Sequence, residues 1–132
     1  MTLIFKQTIM NHLISWASIP SFDFDRAVKF YSEVTGKVLV VKGEGDQRMA
    51  TSITESEWQD TIGFGVTGDS TIKPGSNGPR LYIAATDMDT MLGKVEANGG
   101  KVLVPKTAMG EMGFWGLMED SEGNHIGLHS QN

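Results

Sequence analysis

From Asp23 the chain spaces Ala27, Val28, Phe30, Tyr31 and Val34 at helical intervals, and from Asp87 it spaces Met91, Leu92, Val95 and Ala97 in the same way. Each stretch predicts a helix with one apolar face. Asp23 and Asp87 are suited to cap these helices, because a short carboxylate accepts the free N–H groups of a first turn. Asp25 and Asp89 add negative charge at the positive end of the helix dipole. Gly36 and the pair Gly99-Gly100 supply the left-handed turn that ends each helix. Around the helices, segments rich in β-branched and aromatic residues predict strands. These are 12–19 and 80–85 before each helix and the run GKVLV after it. Further on come 48–54 with 61–67, and 113–118 with 125–129. Each half therefore reads β-α-β-β-β.

The two halves are copies of one another. Asp23, Asp25 and GKVLV recur at Asp87, Asp89 and the second GKVLV, an offset of 64 residues that gives seven identities in one ungapped register. The same offset places Ile62-Gly63-Phe64 on Ile126-Gly127-Leu128. The chain divides into units at about 10–68 and 79–132, joined by a Gly/Pro/Ser-rich loop at 69–78; such composition marks a connection. The string EDSEGN at 119–124 reads as a tight turn in which Gly123 and Asn124 can take positive φ. One βαβββ unit leaves an apolar sheet face uncovered, so the two sheets are expected to share a concave space. The expected fold class is α+β: a single domain over 1–132, with paired half-barrel sheets around a ligand-sized cavity.

Composition narrows the function. With 11 Lys+Arg against 16 Asp+Glu the formal charge is -5, which removes the basic footprint expected for nucleic acid or anionic lipid. The absence of Cys removes thiolate metal sites, disulfides and thiol nucleophiles, and suits a reducing compartment, so the cytoplasm is expected. In MTLIFKQTIMNHLISW, Lys6, Gln7, Asn11 and His12 interrupt any apolar core, and no run approaches a membrane span. Residues 1–8 lie outside the repeat, and Met10 is an alternative start to Met1.

Few motifs carry chemistry. Gly63-Phe-Gly65-Val-Thr-Gly68 fits G-x-G-x-x-G, but the DSTIKPG that follows cannot open the helix on which dinucleotide phosphates rest. Neither a nucleophile elbow nor a recognisable Ser-His-Asp spacing is present. His125 and His129 share one strand face roughly 13 Å apart, too far for one metal, and the spacing shows neither with a carboxylate partner. Alternation turns Leu81, Ile83 and Ala85 toward the helices and Arg80, Tyr82 and Ala84 toward the concave side. Trp16, which precedes Arg80 by the repeat offset, occupies the matching face of the first strand. Trp16, Arg80 and Tyr82 thus form a candidate platform for an aromatic or anionic ligand. Trp115 is read as packing.

The segment FDFDRAVKFYSEVTGK, the later GKVLVPK and the final EDSEGNHIGL resemble the vicinal oxygen chelate superfamily. That superfamily includes glyoxalase I, extradiol dioxygenases, and bleomycin- and fosfomycin-resistance proteins. The resemblance spans about 10–130, with Ser121 in place of the usual turn proline. It implies a divalent ion held by His, Gln or Glu at four inward positions, which here fall at Trp16, Gly63, Arg80 and Gly127. Trp is a donor only, Gly has no side chain, and guanidinium has no lone pair to give. No metal cofactor is therefore expected, and the glycines are expected to open room in the cavity.

The resulting expectation is a small-molecule binding protein of this fold, using Trp16, Gly63, Arg80, Tyr82, His125 and Gly127, and pairing as a homodimer. The alternatives are a lyase, isomerase or dioxygenase with a relocated metal or none, in which His125 acts as acid or base, and a partner subunit without its own ligand.

Overall fold

The computed structural model describes residues 13–53 and 61–132. The first half contains β1 (Trp16–Pro20), α1 (Phe24–Thr35), β2 (Val40–Lys42), β3 (Met49–Thr51) and β4 (Gly63–Thr67). The second contains β5 (Tyr82–Ala84), α2 (Met88–Gly93), β6 (Lys101–Ala108), β7 (Phe114–Glu119) and β8 (His125–Ser130). Two four-stranded sheets result, ordered β1-β4-β3-β2 and β5-β8-β7-β6. In each, the first and last strands of the unit pair in parallel and the others are antiparallel. This is the α+β paired half-barrel architecture that the repeat predicts.

The capping expectations hold. The Asp23 carboxylate accepts the Arg26 N–H at 3.1 Å and that of Asp87 accepts Thr90 N–H at 3.0 Å; Asp87 is held below the usual carboxylate range, chiefly by this backbone hydrogen bond. Gly36 closes α1 at φ 72°, its N–H on the Ser32 carbonyl. The second helix is shorter than its periodicity predicts. It ends at Gly93, and a separate turn of tighter helix at Glu96–Asn98 carries the chain to Gly99 at φ 93°.

Several strands differ from the sequence reading. Strand β1 starts at Trp16, with Leu13 and Ile14 exposed before it, while His12 lies outside the described residues. Strand β5 is three residues long, so Arg80 precedes it and is exposed. The two GKVLV copies also diverge. The first contributes only Val40 to a three-residue strand, the second opens the eight-residue β6. The cause is the partner strand, because β3 offers three residues for pairing and β7 offers six, and a strand without a ladder leaves its polar backbone to water.

Both halves contribute to one core. Ile19, Phe30, Tyr31, Val34 and Val66 from the first unit join Met88, Val95, Met118 and Leu128 from the second. Phe30 and Tyr31 meet edge to face at 5.1 Å, the geometry that favours an aromatic pair beyond its burial.

A polar cluster ties the halves together. The string EDSEGN forms the expected tight turn between β7 and β8, but Asp120, Glu122 and Asn124 are buried in it, and Gly123 alone takes positive φ there. Asp120 Oδ2 accepts Tyr31 Oη–H at 2.6 Å and Asn124 Nδ2–H at 2.9 Å, while its Oδ1 accepts the Glu122 and Asn124 N–H groups at 2.8 and 2.9 Å. Burial, then the Asp120 charge, raise the Tyr31 phenol well above its ordinary value. Glu122 accepts Phe22 and Asp23 N–H at 2.9 and 2.7 Å, and its carboxylate forks onto the Arg26 guanidinium at 2.7 and 3.0 Å.

Burial pushes the Glu122 carboxyl up, but the hydrogen bonds from Arg26, the Asp23 N–H and Ser121 outweigh it and hold the group below its ordinary value. A carboxylate depressed on folding stabilises the protein above its unfolded-state value, and that contribution disappears as pH falls through the folded one. Glu122→Gln should therefore lose stability at neutral pH and show a flatter decline of stability in acid than the wild type. Urea unfolding at several pH values from neutrality to about pH 3, across the ordinary carboxylate range, checks this; parallel acid limbs would contradict it.

Candidate functional site

In each sheet one face packs on the helices and the other is open. Along β4, Phe64 and Val66 pack inward, so Gly63, Gly65 and Thr67 lie on the other face, where Thr67 is itself buried. Along β8, Ile126 and Leu128 pack inward, so His125, Gly127 and His129 lie on the open face, as the alternation predicts. Tyr82 also stands there and is 46% exposed.

The rings rest on glycines. A Cβ at Gly127 would lie 2.3 Å from Tyr82 Cδ2 and Cε2, which places the phenol ring flat against the bare backbone. A Cβ at Gly65 would lie 2.8 Å from both Trp16 Cζ2 and Met49 Cγ. Gly63 is covered instead by Ile53, whose Cγ1 would be 2.7 Å from an added Cβ. The glycines therefore do not open empty room. They admit large side chains against the sheet.

The pairing also corrects the alignment of the two halves. Tyr82 stands opposite Gly127, whereas Ser18, its counterpart at the repeat offset, stands opposite Gly65. The last strand of the first unit is therefore displaced by two residues, and Gly65 rather than Gly63 occupies the place of Gly127. The coincidence of two I-G dipeptides conceals this displacement in the sequence.

The structure gives His125 a partner that the sequence reading missed. Glu119 is its cross-strand neighbour, with Nε2 and Oε1 3.3 Å apart and both side chains about 30% exposed. Counting a hairpin register outward from the 120–124 turn reveals this pair; spacing to nearby acids does not. His129 Nε2 meets the Met112 carbonyl oxygen at 2.7 Å. Trp115 stands opposite His129 on the neighbouring strand and is half-buried.

A cavity of about 210 Å³ lies where β1 approaches the second unit. Ser18 and Pro20 line one side, His125 and Leu81 another, and Lys73 and Asn77 border it from the connecting segment. Asn124 fixes this junction, because its Nδ2–H donates to the Pro20 carbonyl at 2.9 Å and its Oδ1 accepts the Gly75 N–H at 3.0 Å.

Residues 10–128 match the model of the Glyoxalase/Bleomycin resistance protein/Dioxygenase superfamily. The chain belongs to this superfamily. Among solved structures, a glyoxalase/bleomycin resistance protein from Albidiferax ferrireducens T118 is 19% identical, with TM-score 0.66, covering 92% of this chain and 100% of that one. TnmS3, an antibiotic binding protein from Streptomyces sp. CB03234, is 21% identical with TM-score 0.67, over 92% and 97% of the two chains. Glyoxalase I from Zea mays is 15% identical with TM-score 0.66, and the match covers 89% of this chain but 45% of that longer one. At these identities the likeness establishes the fold alone. A search of curated proteins gave no match.

The superfamily's divalent metal can be tested against this donor set. The positions that the resemblance implies are Trp16, Gly65 (or Gly63 by the repeat offset), Gly127 and Arg80, which lies before β5 and is exposed, and none offers a lone pair to a cation. The space at Gly127 is instead filled by the Tyr82 ring, and that at Gly65 by Trp16 Cζ2 with Met49. Among the described residues no three His, Cys, Asp or Glu side chains group as metal ligands. The side chains at these four positions do not fit the metal. No helix among the described residues is long and apolar enough to cross a membrane.

Proposed function

We propose that this protein binds a small aromatic or anionic molecule on the open faces of its sheets, without a metal ion. One observation carries the reading: where metal-dependent relatives place ligands, this chain sets the Tyr82 ring on Gly127 and brings Trp16 Cζ2, together with Met49, over Gly65. A ring backed by bare main chain, as Tyr82 is, gives a planar ligand a stacking surface, and the indole of Trp16 adds a second aromatic surface. Arg80, exposed at the entry to β5, adds charge at the margin. That a neighbour of this fold is an antibiotic binding protein is consistent with sequestration.

The open faces also leave Val40 46% and Leu103 40% exposed, although an antiparallel sheet with one solvated face ordinarily alternates polar residues outward. A homodimer would cover this surface and close the half-barrels. A cytoplasmic location is favoured by the lack of Cys.

A second reading rests on the His125–Glu119 pair. A carboxylate on one imidazole nitrogen orients the ring and supports a general base, so a metal-independent lyase or isomerase is the enzyme class to set beside binding.

The first test uses N-phenylnaphthylamine, an uncharged planar probe, followed by its fluorescence in the presence of the purified protein. The wild type should bind it, and Trp16→Ala should weaken binding about tenfold, the effect of losing roughly 1.4 kcal/mol of stacking. Unchanged affinity in a folded Trp16→Ala protein would contradict the assignment. Native mass spectrometry of the same sample reads the expected dimer mass.

A further inference from the structure

We infer that the cavity between the two units is an acceptor for an acidic group, so that the ligand is an aromatic molecule bearing a carboxylate, sulfonate or phosphate. The inference rests on the proposed binding function and extends it to residues outside the open face, Lys73 and Asn77.

The chain as a whole is acidic, with a formal charge of -5, but the cavity reverses that sign locally. Its lining includes one permanent cation, Lys73, one imidazole, His125, and the amides of Asn77 and Asn124, and no carboxylate among the described residues. Lys73 has neither an ion pair nor a hydrogen bond among the described residues, whereas Arg26 is engaged with Glu122 and Lys106 reaches Asp89 at 4.0 Å. The Asn124 side chain is already committed to Pro20 and Gly75. It serves as a rigid wall, which leaves Lys73, Asn77 and the Ser18 hydroxyl as donors, with His125 joining them only as imidazolium.

The cavity is continuous in residues with the aromatic face. His125 lines the cavity and also lies on the same face of β8 as Gly127, two positions along, beneath Tyr82. Successive same-face residues on a strand are roughly 7 Å apart, the span of a short link between a planar ring system and an acidic substituent. The volume of about 210 Å³ admits a carboxylate, sulfonate or phosphate with its water. Glu119 faces His125 Nε2 at 3.3 Å and is not among the lining residues; it orients the ring, whose other nitrogen donates to the anion only when the imidazole carries both protons. Hydrogen bonds from charged donors to an anion are the stronger kind, so the acidic group would fix the ligand's orientation while the rings supply area.

Three titrations on the full-length protein test this. Inorganic phosphate, followed by backbone amide NMR, probes the cavity alone. It should shift Lys73, Gly75, Asn77 and His125 saturably in the wild type and not in Lys73→Ala, which is exposed and should fold normally. N-phenylnaphthylamine probes the aromatic face alone, and Lys73→Ala should leave its affinity unchanged. Anilinonaphthalene sulfonate carries the same rings with an acidic group. It should bind the wild type about five- to tenfold more tightly than the neutral probe, and Lys73→Ala should abolish that difference. Phosphate shifts that are absent or scattered, or a sulfonate preference that survives Lys73→Ala, would overturn the inference. Saturable phosphate shifts with no binding of the neutral probe would preserve the anion site and refute the aromatic platform, so the two failures are distinguishable.

Discussion

Replacing Asp120 by alanine should lower the unfolding free energy by about 3–5 kcal/mol, the cost of removing one partner from a buried charged network. The side chain is 2% exposed, and its two oxygens receive four donors, the Tyr31 hydroxyl, the Asn124 side-chain amide and the Glu122 and Asn124 N–H groups. Alanine leaves all four without that acceptor inside the protein. For a chain of this length the loss corresponds to a fall in Tm of roughly 10–15 °C. Tyr31→Phe removes one donor and keeps the ring in the core, so it should cost about 1–2 kcal/mol. In the double variant the two effects should be less than additive, because both remove the same 2.6 Å bond. Thermal unfolding of the three variants measures this, and strict additivity would show that the Tyr31 hydroxyl contributes nothing through Asp120.

This network shows what a polar string conceals. EDSEGN has the composition of a solvated turn, and composition reports the residues themselves rather than what packs over them. Its partners, Tyr31, Phe22, Asp23 and Arg26, lie about 90–100 residues earlier, at separations where no local pattern operates. The two helices, by contrast, were legible because capping and amphipathic spacing are local properties: Asp23, Asp87 and Gly36 act within one turn of themselves. The repeat was legible because GKVLV is copied whole. The difference between its copies was not, since strand length depends on the partner strand.

The candidate site was legible in parts for the same reason. Alternation along one strand places Tyr82, His125 and Gly127 on the open face without reference to any other element. Which glycine of the first unit stands under an aromatic ring depends on the register between β1 and β4, and an offset taken from α1 and α2 does not fix the length of the segment between them. The same dependence hid Lys73 and Asn77, which reach the cavity because the connecting segment is held by Asn124.

The ring-on-glycine arrangement leads to the sharpest prediction for function. Gly127→Ala introduces a methyl that would sit 2.3 Å from two Tyr82 ring atoms, well inside van der Waals contact, so the ring must leave. Tyr82 is 46% exposed and can rotate toward solvent, which makes the change cheap for folding, within about 1 kcal/mol. The stacking surface nevertheless disappears, and affinity for N-phenylnaphthylamine should fall by about tenfold or more. Gly65→Ala presses on Trp16 and Met49 together, each at 2.8 Å, and both are half-buried, so overpacking should cost about 1–3 kcal/mol of stability as well as affinity. The contrast discriminates between the possible roles of the rings. If they form the binding surface, Gly127→Ala separates affinity from stability. If Tyr82 merely covers the sheet, Gly127→Ala leaves probe binding at the wild-type level.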